Sequence, residues 1–241
     1  LQIDIQDQEA CKAYYGIELT NIKVEASPAW LQSRLRAVGI KPINNVVDVS
    51  NYVMRELGTP LHIFDAAKIQ GTATVRLANK GEKFIALDEQ TYELQGTELL
   101  IADQNGPLCL AGIMGGKESG VNENTTHILI ESAVFDAVSV RKAARLHGFN
   151  TDASFRFERG VDPAFLDDGL AIATKLVLDH AGGTASAIAR SGQAPVAPRN
   201  ISYDTDYCRR LGGIDVPQDQ QRNILERLGF SVTSDWSVGV P

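Results

Sequence analysis

The chain has 241 residues, 44% of them hydrophobic and 22% charged, so it is long enough for one large globular domain or for one domain and a smaller one. Its formal net charge of −7 and its pI near 5.1 argue against a protein that wraps nucleic acid, because phosphate binding depends on accumulated Lys and Arg. A local basic patch stays compatible with this balance.

The cysteines indicate a reducing, cytosolic compartment. Cys11, Cys109 and Cys208 form no Cys-x-x-Cys pair, so the sequence favours neither a disulfide framework nor a zinc site. No apolar run is long enough to span a bilayer, and no charged-then-apolar leader opens the chain. Because the chain starts at Leu1 without an initiator Met, we expect it to be a piece of a longer protein.

The first elements in chain order are a strand and a helix. Residues 14–24 alternate apolar and polar side chains as a strand does. In the helix that follows, Ser27 is a candidate N-cap, Pro28 suits the first helical position, and Gly39 suits the position after the end. The predicted buried stripe of this helix consists of Leu31, Leu35 and Val38.

A second helix is predicted from Val46 to Leu57, where apolar residues recur at helical spacing and Gly58 provides the stop. Pro60 biases the residue before it away from helix, so the segment 59–65 is expected to be extended.

The next part of the chain is rich in strands. Residues 73–134 consist of short apolar runs separated by Gly, Asp and Asn. A helix from the cap Asp136 to Gly148, another opened by Asp162-Pro163 and ended near Gly182, and a strand over 184–190 follow. These elements predict an α+β class, with a curled or barrel-like mixed β-sheet core flanked by helices.

Residues 192–200, GQAPVAPRN, predict a Pro-rich linker and a domain boundary. Beyond it we expect a strand at Ile201–Tyr203, two short helices and the start of a β-segment. So few residues form a small core, which predicts a truncated α/β piece rather than a complete domain.

The chemistry is expected in the stretch 127–163, which begins with a strand carrying Glu131. Alternation places Glu131 on one face with two apolar neighbours, and from the pattern alone a solvated face is favoured over a pocket. A short basic helix and a polar, hairpin-like segment, Thr151 to Ser154, come next.

His62 follows a Pro in the extended segment, and a lone His in such a place is usually structural. A triad of Ser50, His62 and Glu131 is conceivable. It is disfavoured because Ser50 lies within a predicted helix and the Gly-x-Ser-x-Gly turn is absent.

Two further patterns allow two interpretations each. The Gly-rich stretch 111–120 lacks phosphate-loop spacing and is either a tight turn or a place of close approach to a ligand. Arg141, Lys142 and Arg145 on the basic helix could meet phosphate, although a solvated helix face is the default interpretation.

Four stretches carry a more specific signal: INNVVDVSNYVMRELGTPLHIFDAAKI (43–69), LAGIMGG (110–116), ILIESAVFD (128–136) and VRKAARLHGFNTDASFRFERGVDP (140–163). Together they closely resemble the bacterial phenylalanyl-tRNA synthetase β subunit, and the resemblance extends over essentially the whole chain. It implies that 1–191 is the tRNA-editing module and that 201–241 is the first half of the winged-helix-like domain that follows.

The resemblance implies a hydrolase site that removes tyrosine wrongly attached to phenylalanine tRNA. In it, Glu131 accepts the hydrogen bond of the tyrosine hydroxyl, which reverses the interpretation from the pattern alone. The other implied positions are pocket residues Ser50 (Thr in many relatives), Asn51, Pro60 and His62, loop residues Gly112 and Gly115, and Thr151 and Ala153 near the scissile ester. As a hypothesis, His62 positions the water or a substrate group, and backbone amides near Gly115 or Thr151 stabilise the oxyanion.

The resemblance also implies partners and cofactors. These are the acceptor end of phenylalanine tRNA, a synthetase α subunit in a heterotetrameric parent, and ATP and magnesium for the parent, with the magnesium residues after Pro241. No cofactor or metal is expected in this chain, and the location is expected to be cytoplasmic. Two alternatives stay open: a non-catalytic module that spaces other parts of the β subunit, and an unrelated small-molecule hydrolase that acts without tRNA.

Overall fold

The computed structural model describes residues 2–194 and 199–241. These two ranges belong to two compact units, which are described separately. Residues 195–198 of the predicted linker lie outside the described residues. The first and last residues of the predicted linker lie in strands, because one strand ends at Gly192 and the next begins at Asn200.

The first unit mixes short strands with five α-helices within its described residues. Its strands are β1 Ile3–Ile5, β2 Cys11–Thr20, β3 Leu61–Asp65, β4 Ala73–Leu77, β5 Lys83–Ile85, β6 Thr91–Glu93, β7 Leu99–Asp103, β8 Gly106–Leu110, β9 Met114–Gly115, β10 His127–Phe135, β11 Thr184–Ala185 and β12 Ala189–Gly192. Its helices are α1 Ala29–Ala37, α2 Val47–Leu57, α3 Ala137–His147, α4 Asp152–Phe157 and α5 Leu166–Ala181. The predicted α+β class is confirmed.

Two main sheets build the core of this unit. One has the strand order β1-β4-β7-β8-β9, and the other has the order β11-β2-β10-β3 with β12 also paired to β2. Among the described strands, both sheets are open and no barrel is closed, because the edge strands of the two sheets do not pair with each other. The curled core is therefore a pair of packed sheets.

The central strand β10 is buried on both faces, which explains why apolar residues occupy both sets of alternate positions along it. Leu129 and Ala133 pack into the layer between the two sheets, with residues of β4, β7 and β8. Ile128 and Ile130 pack on the opposite face, against α1, α2 and α5. The two polar side chains in the middle of this strand, Glu131 and Ser132, are thus enclosed by the core.

The first helix differs from its prediction at both ends. Pro28 is the N-cap and the helix begins at Ala29. Ser27 does not cap it, since its hydroxyl donates instead to the buried carboxylate of Asp48 at 2.6 Å. Leu31 and Leu35 are buried as predicted, but Val38 is 51% exposed because it follows the last helical turn.

The other helix boundaries agree closely with the sequence signals. Helix α2 ends at Gly58, whose φ of +73° requires the left-handed region that glycine adopts readily. Asp136 caps α3 by accepting the Ser139 N–H, and Gly148 ends that helix. A 3-10 turn capped by Asp162 leads into α5. The strand predicted over 184–190 is two short strands, β11 and β12.

The hairpin-like prediction for Thr151 to Ser154 is wrong, because this segment is the start of helix α4. The Thr151 hydroxyl accepts the Ser154 N–H at 3.0 Å, and the Ser154 hydroxyl accepts the Thr151 N–H at 3.0 Å. This reciprocal capping box satisfies two helix-terminal donors and starts a helix in a polar segment.

The second unit contains a three-stranded sheet with the order β13-β15-β14. Its elements are β13 Asn200–Ser202, α6 Tyr207–Gly212, α7 Gln218–Arg227, β14 Ser231–Val232 and β15 Ser237–Gly239. The Tyr203 and Trp236 rings stack with centroids 5.6 Å apart. The winged-helix-like assignment stays a prediction. Across both described ranges, every helix is too short or too polar to cross a bilayer.

Candidate functional site

Two adjoining cavities open between the β10 sheet and the elements around α2 and α4. The outer cavity has a volume of about 440 Å³ and the inner one about 60 Å³. Residues of the extended segment 60–62, of the glycine-containing turn 113–115 and Ala153 line both cavities. The two volumes thus form one recess, and its smaller part is called inner because its lining includes the buried residues Glu131, Cys109 and Phe157.

The recess brings together the predicted substrate and catalytic positions from five separate parts of the sequence. The outer cavity contacts Ser50, Asn51 and Thr151, the inner one contacts Glu131 and Gly112, and both contact Pro60, His62, Gly115 and Ala153. The predicted phosphate candidates Arg141, Lys142 and Arg145 line neither cavity.

Glu131 is a buried carboxyl group at the inner end of the recess. Glu131 is only 4% exposed, so the prediction of a solvated face, which the pattern alone favoured, is wrong. The Tyr14 hydroxyl donates to Oε2 at 2.9 Å, and Oε1 makes no hydrogen bond within the described residues. Burial raises the pKa of Glu131 from 4.5 to about 7, although the Tyr14 hydrogen bond acts in the lowering direction.

His62 stands directly across from Glu131 on the neighbouring strand. Its Nε2 atom is buried and has no hydrogen-bond partner among the described residues. Burial lowers the pKa of His62 from 6.5 to about 4, so the imidazole is neutral near pH 7. The ring packs edge-on against Phe64, with centroids 4.3 Å apart.

The Ser50–His62–Glu131 triad does not form. The Ser50 hydroxyl donates to the Val47 carbonyl within its own helix at 2.8 Å. Within the described part of the chain no hydrogen bond joins any two of these three side chains. Ser50 therefore contributes to the cavity wall without an activating base.

Gly115 and Gly112 let the turn after β8 approach its neighbours closely. A Cβ atom on Gly115 would lie 2.6 Å from Cε1 of His62. At Gly112, where φ is +69°, a Cβ would lie 2.9 Å from the Phe157 ring. The Gly-rich stretch is thus both a tight turn and a wall of the recess, as its two interpretations allowed.

Thr151 joins α4 to this turn. Its hydroxyl donates to the Ile113 carbonyl at 2.9 Å while it accepts the Ser154 N–H. The backbone N–H groups of Asp152 and Ala153, in the first turn of α4, make no hydrogen bond within the described ranges. Two backbone donors are therefore available where α4 meets the outer cavity.

Among the residues with titratable side chains at the recess, three were missed by sequence reasoning. Tyr14 comes from β2, Cys109 lines the inner cavity from β8, and Asp152 lines the outer one while its carboxylate binds Arg55 at 2.9 Å. Nothing local to Tyr14 or Cys109 in the sequence indicates this position, since both lie in strands with ordinary apolar patterning.

The basic residues of α3 lie on an exposed helix face. Arg141, Lys142 and Arg145 are all solvent-exposed, and Lys142 lies beside a surface groove that also contacts Asp7, Glu9 and Asp136. Among the described residues, no three His, Cys, Asp or Glu side chains gather as a metal site would require.

Comparison with known proteins places these features in a family. The B3/4 domain family matches residues 10–182, which include both cavities. The chain is 45% identical over 240 residues to the phenylalanine-tRNA ligase beta subunit of Zymomonas mobilis subsp. mobilis, and 43% identical over 241 residues to that of Novosphingobium aromaticivorans. Both alignments cover 100% of this chain, which spans 30% of the length of these relatives.

Among solved structures, the chain is similar to an N-terminal fragment of the phenylalanyl-tRNA synthetase beta subunit from Pyrococcus horikoshii. The two share 14% identity with a TM-score of 0.49, over 99% of this chain and 67% of the other. The fold class itself follows from this chain's own sheets and helices. The predicted resemblance to phenylalanyl-tRNA synthetase β subunits is confirmed by the relatives, and the chain belongs to the B3/4 domain family.

Proposed function

We propose that the recess is a proofreading site, which hydrolyses the ester of tyrosine mischarged onto phenylalanine tRNA. The names of the relatives support the parent reaction, since they are phenylalanine-tRNA ligase beta subunits. The observation that carries the proposal is the buried Glu131 at the inner end of the recess, with Oε1 unbonded.

The selection of tyrosine follows from the cost of an unpaired buried carboxyl group. A pocket that accepts phenylalanine cannot strongly reject an isostere that adds a hydroxyl, whereas a second site can require that hydroxyl. In our proposal the tyrosine hydroxyl binds Glu131 in the inner cavity. Phenylalanine leaves the same carboxyl group buried without this partner, and so binds more weakly.

In the proposed reaction a water molecule attacks the ester carbonyl directly, without a covalent enzyme intermediate. The water oxygen bonds to the carbonyl carbon, the bond to the ribose oxygen breaks, and a proton passes from the water to the departing ribose oxygen. Neutral His62 positions the water or a substrate group. Backbone amides near Thr151 and Gly115 stabilise the developing negative charge, and a tRNA ribose hydroxyl shares the proton transfer.

The remaining assignments are extended from the parent family. We propose 1–191 as the editing module and 201–241 as part of a winged-helix-like domain. The partners would be the acceptor end of phenylalanine tRNA, with Arg141, Lys142 and Arg145 as phosphate contacts, and a synthetase α subunit. ATP and magnesium would serve ligation elsewhere in a cytoplasmic parent enzyme.

The test measures deacylation of purified tyrosyl- and phenylalanyl-tRNA by the parent enzyme, with and without Glu131→Ala, which removes the acceptor for the tyrosine hydroxyl. We expect the wild type to prefer the tyrosyl ester and the variant to lose this preference. Equal hydrolysis of both esters by the wild type would contradict the editing role and favour a spacing module. Equally fast hydrolysis of a free tyrosyl ester would indicate a small-molecule hydrolase.

A further inference from the structure

Tyr14 and Glu131 point into the same layer of the core from neighbouring strands. Strand pairing sets Glu131 opposite Gly16 and Ala133 opposite Tyr14, so Tyr14 is the diagonal neighbour of Glu131. Gly16 has no side chain to stand between them. Tyr14 is fully buried, and its hydroxyl reaches Oε2 of Glu131 at 2.9 Å.

We propose that Tyr14 is a positioning residue for substrate selection, because its hydroxyl holds Oε2 of Glu131 and leaves Oε1 as the carboxylate oxygen offered to the hydroxyl of a bound tyrosine. This inference rests on the proposed function. The carboxylate then lies between two phenols, one supplied by the fold and one by the substrate. Without the first, the carboxyl group is free to rotate, and neither oxygen is held toward the inner cavity.

Tyr14 also affects the charge of Glu131. The titratable groups around Glu131 are Cys11 and Tyr14 from β2, His62 from β3 and Cys109 from β8. Burial raises the pKa of both thiols and of the Tyr14 phenol, and it lowers the pKa of His62, so all four groups are neutral near pH 7. The ionisation of Glu131 is therefore governed by its own burial and by the hydrogen bond from Tyr14.

The direction of this effect can be measured. If ionised Glu131 accepts the tyrosine hydroxyl, hydrolysis of the tyrosyl ester rises with pH through the pKa of Glu131, near 7. In Tyr14→Phe the favourable hydrogen bond to the carboxylate is lost, so the midpoint should move to higher pH. A midpoint about one pH unit higher would lower the ionised fraction at pH 7 about fivefold.

The experiment follows tyrosyl- and phenylalanyl-tRNA deacylation by the parent enzyme across neutral pH. For Tyr14→Phe we expect a more alkaline midpoint and about fivefold slower tyrosyl hydrolysis at pH 7, with phenylalanyl hydrolysis not slowed. Tyr15→Phe is the matched control. Tyr15 is the next residue of β2, on the opposite face, and its hydroxyl makes no hydrogen bond in the described structure. This control should keep the wild-type midpoint.

Site-specific 3-fluorotyrosine at position 14 gives a second measurement that keeps the ring and the hydroxyl in place. Its more acidic phenol is a stronger donor, so the midpoint should move to lower pH, a direction that loss of packing does not predict. If both Tyr14 replacements keep the wild-type midpoint while Glu131→Ala loses the tyrosine preference, the role of Tyr14 is overturned and the proposed function stands. If Glu131→Ala retains the preference, the proposed function itself fails.

Discussion

Glu131 and His62 are cross-strand partners on β10 and β3, and burial moves their pKa values in opposite directions. The pKa of the carboxyl group rises to about 7, and that of the imidazole falls to about 4. Burial favours the uncharged form in both cases, so the pair does not form a salt bridge. The inner cavity therefore offers a ligand a neutral imidazole beside a carboxyl group that titrates near neutral pH.

His62→Ala should slow deacylation of tyrosyl-tRNA by about a hundredfold, the loss expected when a reacting group is no longer held in place. Single-turnover kinetics separate this step from substrate binding, and the tyrosine preference should persist because Glu131 is retained. His180→Ala is a control, since His180 lies on α5, packs near Trp30 of α1 and lines neither cavity. An unchanged single-turnover rate in His62→Ala would exclude His62 from the reaction.

Gly115→Ala should impair the site while leaving the fold in place. The added Cβ would lie 2.6 Å from Cε1 of His62, so the imidazole or the turn must move. We expect at least about tenfold slower deacylation, and a loss of about 1–3 kcal/mol in unfolding free energy, as for other overpacked sites. In Gly169→Ala, within helix α5, the new Cβ would meet Leu61 at 3.6 Å, an ordinary contact, so this variant should keep activity and lose no stability. Equal losses of activity and of unfolding free energy in the two variants would contradict the close contact between Gly115 and His62.

The stability of the chain should reveal the opposed titrations of Glu131 and His62. Between pH 4.5 and about 7 the folded state holds more protons at Glu131 than the unfolded state, so this group makes stability fall as pH rises. Between about pH 4 and 6.5 the unfolded state holds more protons at His62, so that group makes stability rise with pH. The two contributions oppose each other where the intervals overlap.

Single variants should separate these slopes. Relative to wild type, the unfolding free energy of Glu131→Gln should increase from pH 4.5 to about 7, by up to about 3 kcal/mol. That of His62→Gln should increase relative to wild type as pH falls from 6.5 to about 4. Urea denaturation at several pH values measures both differences. If the unfolding free energies of all three proteins changed with pH in parallel, the two groups would titrate alike in the folded and unfolded states.

The basic face of α3 should affect tRNA binding but not the chemistry at the ester. Replacing Arg145 by Ala should lower tRNA affinity and reduce the salt dependence of binding by about one ion per lost phosphate contact. Hydrolysis under saturating tRNA should be unchanged. Lys175→Ala on α5 is the control, since Lys175 is also exposed but pairs with Asp179 at 2.6 Å. The same salt slope in Arg145→Ala and wild type would place the phosphate contacts elsewhere.

Local sequence signals predicted the ends of α2 and α3 and the stretches in which most strands lie, but not the start of α1 or the presence of α4. Gly58 and Gly148 end their helices because left-handed backbone is accessible to glycine, and Asp136 caps α3 through an interaction three residues away. Such signals act within one turn of the chain. The family resemblance also came from contiguous motifs, and all nine pocket positions that it indicated are among the residues that line the recess.

The tertiary structure alone decided which groups those positions meet. Alternation along β10 could not show that Glu131 is buried, because both faces of this strand are covered by parts of the chain far away in sequence. The Tyr14 hydroxyl lies 117 residues before the carboxylate it holds, and no local pattern records that pairing. Burial and hydrogen-bond partners depend on how sheets and helices pack, so the pKa of Glu131, and with it the proposed selectivity, becomes visible only in the folded chain.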